Sequence, residues 1–453
     1  MPPIIGGGNG VPTGVRPKAP GRRAWISLPS AYLYFLWGMV ILEPHRWIAE
    51  RGLRITAMNG ALSILAIPLI PMILARLPVV IGRRRKPTIY WPLLGFLLVT
   101  LSTVRTAIYP DLAWNAVKIF IIYFLMSVAT FIYIRSARQV VPLLVLYAGQ
   151  YLWWGWHSGT TGAVWWHPTL ANSDAFGPLV LMGFSICLSF AFASRSRMFR
   201  YVGFFLATYC ALGIVTAFAR GVALSSVVVA ALLWVRSPFK GRMALWIVLG
   251  GITVVAASAI LYPNNAFWNE INSSFTEGTE EGTGNDRWEL WKVGMAVFKE
   301  HPILGVGAEH AGHYGFRLVM DRKIEVGGVY SWLPTALQGR QLHSVYVQML
   351  AEHGALGMFF FLIMVVDFWR RNARLRLPEF VASWARQTGG KYDLRWIAVG
   401  LEGAMVAYLA TGIFYAQLYM HWFFSLVLLN ILVHSMALPN RRSLLVARPV
   451  RGA

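Results

Sequence analysis

Apolar residues recur along this chain in runs of about 15 to 20, separated by short polar breaks. A helix needs about 20 mostly apolar residues to cross the hydrocarbon core of a bilayer. Runs of this kind stand at 24–42, 57–75, 90–107, 117–134, 140–156 and 175–193. Others follow at 201–217, 222–235, 243–262, 355–369, 396–415 and 422–436, and the run at 222–235 extends back through Arg220. The pattern predicts an all-α, polytopic transmembrane bundle of about 12 spans. One long polar stretch, 263–342, separates spans 9 and 10. The chain thus divides into a disordered Gly- and Pro-rich tail (1–23), spans 1–9 (24–262), the polar segment (263–342), a helix leading into spans 10–12 (343–437), and a basic tail (438–453).

Charge gives the helices a direction. Basic residues collect in alternate connections: Arg83, Arg84, Arg85 and Lys86; Arg135 and Arg138; Arg195, Arg197 and Arg200; Arg236, Lys240 and Arg242; Arg370, Arg371, Arg374 and Arg376. Both tails are basic as well. The intervening connections hold most of the acids, among them Glu277, Glu280, Glu281, Asp286 and Glu289. The positive-inside rule puts both termini in the cytoplasm and 263–342 on the other face, which in a bacterial cell is the periplasmic side of the inner membrane. The net charge of +22 is then a topology signal, and no nucleic-acid partner is implied, because no folded module carries a basic face.

Composition agrees: 57% of residues are hydrophobic and 13% charged, against about a quarter charged in soluble domains. Cys187 and Cys210 lie inside apolar runs and form no disulfide framework. Trp153, Trp154, Trp156, Trp165 and Trp166 crowd one boundary, as an interfacial aromatic belt does.

The polar segment has its own pattern. After a flexible Gly/Glu/Thr stretch at 277–285, Asp286-Arg-Trp-Glu289 reads as a capping box opening a helix. Trp288, Trp291, Met295 and Phe298 then recur at three- and four-residue steps, an amphipathic face suited to the membrane interface. His301-Pro302 stops that helix, and Gly305 and Gly307 permit a tight turn. A second helix begins near His343, with Tyr346, Val347 and Leu350 on one face, and ends at Glu352-His353-Gly354.

Arg287-Trp288, His301-Pro-Ile-Leu-Gly-Val-Gly307, His343-Ser344-x-Tyr346 and Glu352-x-Gly354-x-Leu356-Gly357 together resemble the signature of the O-antigen ligase and polymerase superfamily. Ala219-Arg220-Gly221 is similar to that family's Ser-Arg-Gly element. Two positions depart from it: Ala219 stands where Ser is usual, and Ser344 where Asn usually follows the His. The resemblance implies a membrane glycosyltransferase that moves a glycan from an undecaprenyl-pyrophosphate carrier to an acceptor hydroxyl, with no metal and no cofactor. The implied partners are that lipid-linked glycan, an acceptor glycan (lipid A–core, a growing polysaccharide or a glycoprotein) and membrane lipid.

A pyrophosphate leaving group needs fixed positive charge, which arginine supplies with two-pronged geometry. A helix start beside Arg287 would add backbone donors. Histidine suits the acceptor hydroxyl near neutral pH. The roles are therefore Arg220 and Arg287 on the pyrophosphate and catalytic His343 on the acceptor hydroxyl, as base or orienting acceptor. Each has a plainer alternative: Arg220 snorkelling at a helix end, Arg287 pairing with Asp286 or Glu289, His343 flanking an N-cap. Glu309-His310-x-x-His313 lacks the ligand spacing of a zinc site. His167-Pro168 and Asn172-x-Asp174 line the outer cavity or form a turn into span 6. Ligation, chain polymerisation and protein O-glycosylation all remain open, as does a non-enzymatic lipid-linked glycan flippase, for which Lys118, Glu352 and Glu402 are the mid-bilayer charges.

The charge pattern makes a direct prediction. In intact spheroplasts, a single cysteine at Ser274 should react with an impermeant thiol reagent and one at Ser443 should not; the reverse would invert the topology.

Overall fold

The computed structural model describes residues 27–44, 58–76, 90–159, 161–167, 170–171, 173–217, 219–261, 268–269, 272 and 282–439. Several readings lie outside the described residues: the tail 1–23, the basic cluster 83–86, Pro168, Asn172, Ser274, the stretch 277–281, and Arg441, Arg442, Arg448 and Arg451.

Every regular element of length among the described residues is helical: α1 (Leu28–Leu42), α2 (Met58–Ala66), α3 (Leu69–Leu74), α4 (Tyr90–Ser102), α5 (Pro110–Tyr133), α6 (Ala137–Ser158), α7 (Ser173–Ala193), α8 (Arg197–Thr216), α9 (Arg220–Arg236) and α10 (Lys240–Leu261) come first. After them stand α11 (Gly282–Glu300), α12 (Ala311–Met320), α13 (Val329–Trp332), α14 (Val345–Arg374), α15 (Pro378–Thr388), α16 (Leu394–Thr411) and α17 (His421–Ala437).

Six described helices are long and apolar enough to cross a membrane: Pro110–Tyr133, Ala175–Ala193, Arg197–Thr216, Lys240–Leu261, Val345–Arg374 and Leu394–Thr411. Shorter apolar helices lie at Leu28–Leu42, Leu62–Leu74, Tyr90–Arg105 and His421–Ala437. The run expected at 57–75 is broken, because Pro68 cannot donate in a continuing helix and a turn at Ile67-Pro68 divides α2 from α3. α9 begins at Arg220, as the extended run anticipated. α16 stops at Thr411, short of the expected Tyr415.

Two cores result. The large one joins the long helices, with α7 packed along both α8 and α16. At the Glu402 end, that buried carboxylate ties four helices: Arg236 Nε of α9 lies 3.2 Å from it, Arg376 reaches it, and Asn372 of α14 lies 3.5 Å away and accepts from Asn430 of α17 at 3.1 Å. Breaking such a buried pair leaves an uncompensated charge.

The small core belongs to a subdomain. Leu290, Val293 and Val297 of α11 pack with Val306, Ala311, Leu318, Tyr330, Leu337 and Leu342, and with Ala351 of α14. This corrects the expected capping box. α11 opens at Gly282, so Asp286–Glu289 lies inside the helix and caps nothing. Buried Glu289 instead accepts from the Gly327 N–H at 2.9 Å and pairs with Lys292 at 2.6 Å. The core-facing stripe is Leu290, Val293 and Val297, while Trp288 and Met295 stay exposed.

α14 is the hinge between the cores. Ser344 caps its start, accepting from the Val347 N–H. Gly354, at φ 64 and ψ −166, then interrupts it. The break leaves four backbone groups without helical partners, and the turn after α11 takes all four. Val306 N–H donates to Ala351 O and Gly307 N–H to Glu352 O, both at 3.0 Å; Ala355 N–H donates to Pro302 O at 2.8 Å and Leu356 N–H to Ile303 O at 3.2 Å. Glycine is required on both sides: a Cβ on Gly305 would strike the Glu352 backbone, and one on Gly354 the Ile303 carbonyl.

Gly354→Ala should therefore lower the melting temperature of the purified protein more than Gly389→Ala. Gly389 also has a positive φ, of 64, but nothing lies within 4 Å of an added Cβ, so its cost is the backbone term alone, about 1 kcal/mol. Equal losses would mean that the paired turn contributes nothing.

Candidate functional site

The connection between α16 and α17, residues 412–420, is an aromatic turn on which three elements converge. The first is α9. Arg220 is its opening residue, half-buried, and Ala219 at the N-cap supplies no side-chain cap. The backbone carbonyl of Ala219 accepts from Val222 and Ala223, so the earliest N–H groups of the turn are the ones a helix start presents to an anion. Gly221 packs so closely on Phe414 that a Cβ would approach the ring to 2.8 Å.

The second is α11. Arg287 is half-buried, and its guanidinium lies 5.5 Å from the Tyr415 ring centroid, a cation–π contact. Because α11 begins at Gly282, Arg287 sits inside the helix, and the backbone donors expected beside it are beside Arg220 instead. The third is the start of α14. His343 is half-buried with a left-handed φ of 49, a conformation that costs energy in a residue other than Gly and is held here by its surroundings. Two residues on, the Val345 N–H donates to the Gly412 carbonyl at 2.8 Å. Arg287 thus meets the aromatic turn directly, and Arg220 and His343 through their neighbours Gly221 and Val345.

Below that turn lies a buried polar cluster. The Tyr419 hydroxyl donates to Glu352, accepts from the Glu309 N–H at 3.2 Å, and lies 3.2 Å from His353 Nε2. Glu352 also accepts from Gln348 Nε2 at 3.2 Å and from the Ala311 N–H at 3.4 Å. Glu309 has a positive φ of 61, and burial holds its carboxyl above the usual carboxylate range. Burial also holds His310 below the ordinary histidine value. Its Nδ1 donates to the Ala308 carbonyl at 2.6 Å, and its Nε2 accepts from the Tyr109 N–H at 2.9 Å, so both ring nitrogens are engaged in backbone contacts. Among the described residues no group of His, Cys, Asp and Glu is placed to hold a metal.

The sequence reading missed Phe414, Tyr415 and Tyr419, since it folded the first two into a span; the signal was the aromatic spacing of Phe414-Tyr415-x-x-x-Tyr419 just after the helix. His167 is fully buried, 3.0 Å from Glu43 through Nε2, with Nδ1 accepting from the Leu170 N–H at 2.9 Å, and it clasps the turn before α7.

An apolar cavity of about 540 Å³ runs between α6, α7, α8 and α10, lined by Tyr151, Val180, Leu212, Gly213 and Ile260 among others. It reaches Thr216, four residues before Arg220.

Residues 204–362 match the family model described as O-antigen ligase. That range holds Arg220, Arg287, His343 and the paired turn against Gly354. No curated protein matches the chain.

The Glu309 carboxyl supplies a prediction of definite sign. Its raised pKa means that the folded protein favours the protonated form, so its contribution to stability is lost as pH rises above the ordinary carboxylate value. Glu309→Gln should raise the melting temperature relative to the parent at neutral pH, and the gain should vanish as pH falls into the carboxylate range. A pH-independent difference would rule out this account.

Proposed function

We propose, from the premise that this chain is a member of the O-antigen ligase superfamily, that it transfers a glycan from an undecaprenyl-pyrophosphate carrier to an acceptor hydroxyl. The reaction takes place at the periplasmic face of the bacterial inner membrane, in a bundle of about 12 spans with both termini in the cytoplasm. The observation that carries this reading is the convergence of Arg220, Arg287 and His343 about one aromatic turn, beside an apolar cavity suited to a polyprenyl chain.

The acceptor oxygen attacks the anomeric carbon of the glycan. The bond from that carbon to the pyrophosphate oxygen breaks, and its electron pair leaves with undecaprenyl pyrophosphate. His343 takes the hydroxyl proton. Arg220 and Arg287 hold the leaving group as its charge develops, where preformed positive charge lowers the barrier most. Two arginines and an uncapped helix start supply that charge, so the step calls for no divalent ion. The resemblance around Asp286–Gly307 favours ligation; a polymerase or a protein O-oligosaccharyltransferase would use the same donor chemistry with another acceptor.

Purified protein given an undecaprenyl-pyrophosphate glycan and an acceptor should release the carrier, with activity retained in excess EDTA. Arg220→Lys and Arg287→Lys keep charge but lose the planar fork, and each should cut turnover about a hundred- to a thousand-fold. His343→Ala should cut it similarly while leaving donor binding nearly unchanged. Full activity in all three variants would refute the site, and movement of intact carrier across a vesicle would make the protein a flippase.

A further inference from the structure

The end of the bundle that the charge pattern assigns to the cytoplasm carries a cavity of about 400 Å³. It lies between the α7–α8 connection, the start of α10 and the connection from α15 to α16. Arg195, Arg200, Arg242 and Arg395 line it, together with the rings of Phe204 and Trp246. We propose that this cavity binds the headgroup of an anionic phospholipid. The inference rests on the transmembrane topology of the reading above and is independent of its transfer chemistry.

Backbone pairing builds the cavity. Ser194 and Tyr392 form an antiparallel bridge. Beside it the Arg195 N–H donates to the Lys391 carbonyl at 3.0 Å and the Asp393 N–H to the Ala193 carbonyl at 2.9 Å. Gly390, at a φ of 69, turns the chain against Arg195, where a Cβ would lie 3.5 Å from Nη1. On the opposite side the Phe204 and Trp246 rings stack at 4.0 Å, which holds α8 against α10. Two connections about 200 residues apart and two helices are thus fixed around one opening.

Charge gives the ligand its sign. Asp393 is the acid among the lining residues, and Arg395 takes both its oxygens, with Nε at 3.1 Å and Nη2 at 2.7 Å. Arg195, Arg200 and Arg242 have no ion-pair partner among the described residues. Arg200 donates to the Ser194 carbonyl at 3.3 Å, and the Arg242 guanidinium lies 5.3 Å from the Phe239 ring centroid. The positive-inside rule accounts for basic residues in each connection separately; it does not bring three of them to one cavity. Guanidinium groups suit phosphate oxygens, to which they offer paired N–H donors.

Apolar surface selects a lipid over a soluble phosphate. Further along α8 and α10, Phe205, Leu245, Val248 and Ile252 are exposed. The cavity therefore opens at the foot of an apolar surface along which acyl chains can lie. Basic pockets between transmembrane helices at the cytoplasmic side hold anionic headgroups in this way. A lipid there clamps the helix pair whose far ends, at Thr216 and Ile260, line the larger apolar cavity.

The test is titration of the delipidated, detergent-purified full chain with phosphatidylglycerol and with phosphatidylcholine, read by native mass spectrometry. Phosphatidylglycerol should bind about tenfold or more tightly than phosphatidylcholine. Arg200→Gln and Arg242→Gln, both at exposed positions, should each weaken it about fivefold, the effect of one cation at an anionic surface. Phosphatidylcholine binding should stay unchanged in both, which controls for folding. Arg197→Gln alters an exposed arginine of the same connection that does not line the cavity, and should change nothing. Equal losses in all three variants, or no loss in Arg200→Gln and Arg242→Gln, would overturn the cavity. Equal binding of the two lipids would overturn the charge preference, and displacement by inorganic phosphate at matched concentration would overturn the lipid. Binding is read without turnover, so a chain that transfers no glycan leaves this result standing. Reversed labelling at Ser274 and Ser443 would separately overturn the leaflet.

Discussion

The arrangement depends on the interruption of α14 at Gly354 and on the pairing of the freed backbone by the turn at 302–307. An unpaired amide or carbonyl in an apolar environment costs several kcal/mol, so a helix can break there only if a partner segment is held rigidly in place. The four hydrogen bonds across the break meet that condition. They also fix where the subdomain sits. Val306, within the paired turn, and Ala351, just before the break, are both members of the small core, so that core cannot shift without uncoupling the turn from α14.

Other parts of the molecule are keyed to the same turn. A Cβ on Gly307 would lie 3.3 Å from the Thr103 carbonyl, and His310, three residues on, meets the Tyr109 N–H at the start of α5. His353, next to the break, lies 3.4 Å from Thr100 of α4 through Nδ1 and 3.2 Å from Tyr419 through Nε2. The aromatic turn at 412–420 is thereby referenced to the break as well, through Tyr419 and its bond to Glu352. Because Arg287 and the neighbours of Arg220 and His343 rest on that turn, the geometry of the candidate site is set by backbone pairing outside it. A site held within a fraction of an ångström by rigid supports is what preorganised charge stabilisation requires.

The sequence showed most of the helices, since apolar runs at 175–193 and 396–415 report burial whatever they pack against. It also showed that Gly305 and Gly307 make a turn and that Gly354 ends a helix, because these are local statements about backbone freedom. It did not show that the two features pair with each other, which is a contact between segments about 50 residues apart and leaves no local mark. The misread start of α11 has a different origin. Asp286 and Glu289 have the spacing of a capping box, but Glu289 is engaged by Gly327 from outside its own helix and by Lys292 one turn along it, and these partners override the local motif.

The two departures from the family pattern acquire different meanings in three dimensions. Ser344 performs the N-cap of α14 through its hydroxyl, a task Asn shares with Ser, so this substitution preserves the support beneath His343. Ala219 does the opposite. A serine there could cap the first turn of α9 and take one of its N–H groups; alanine cannot, and the first turn of α9 carries no side-chain cap. Where the resembled pattern has a hydroxyl, this chain has only backbone and the Arg220 guanidinium at the start of α9, so on the proposed reading a bound anion would meet a fixed dipole and charge with no side-chain cap between them.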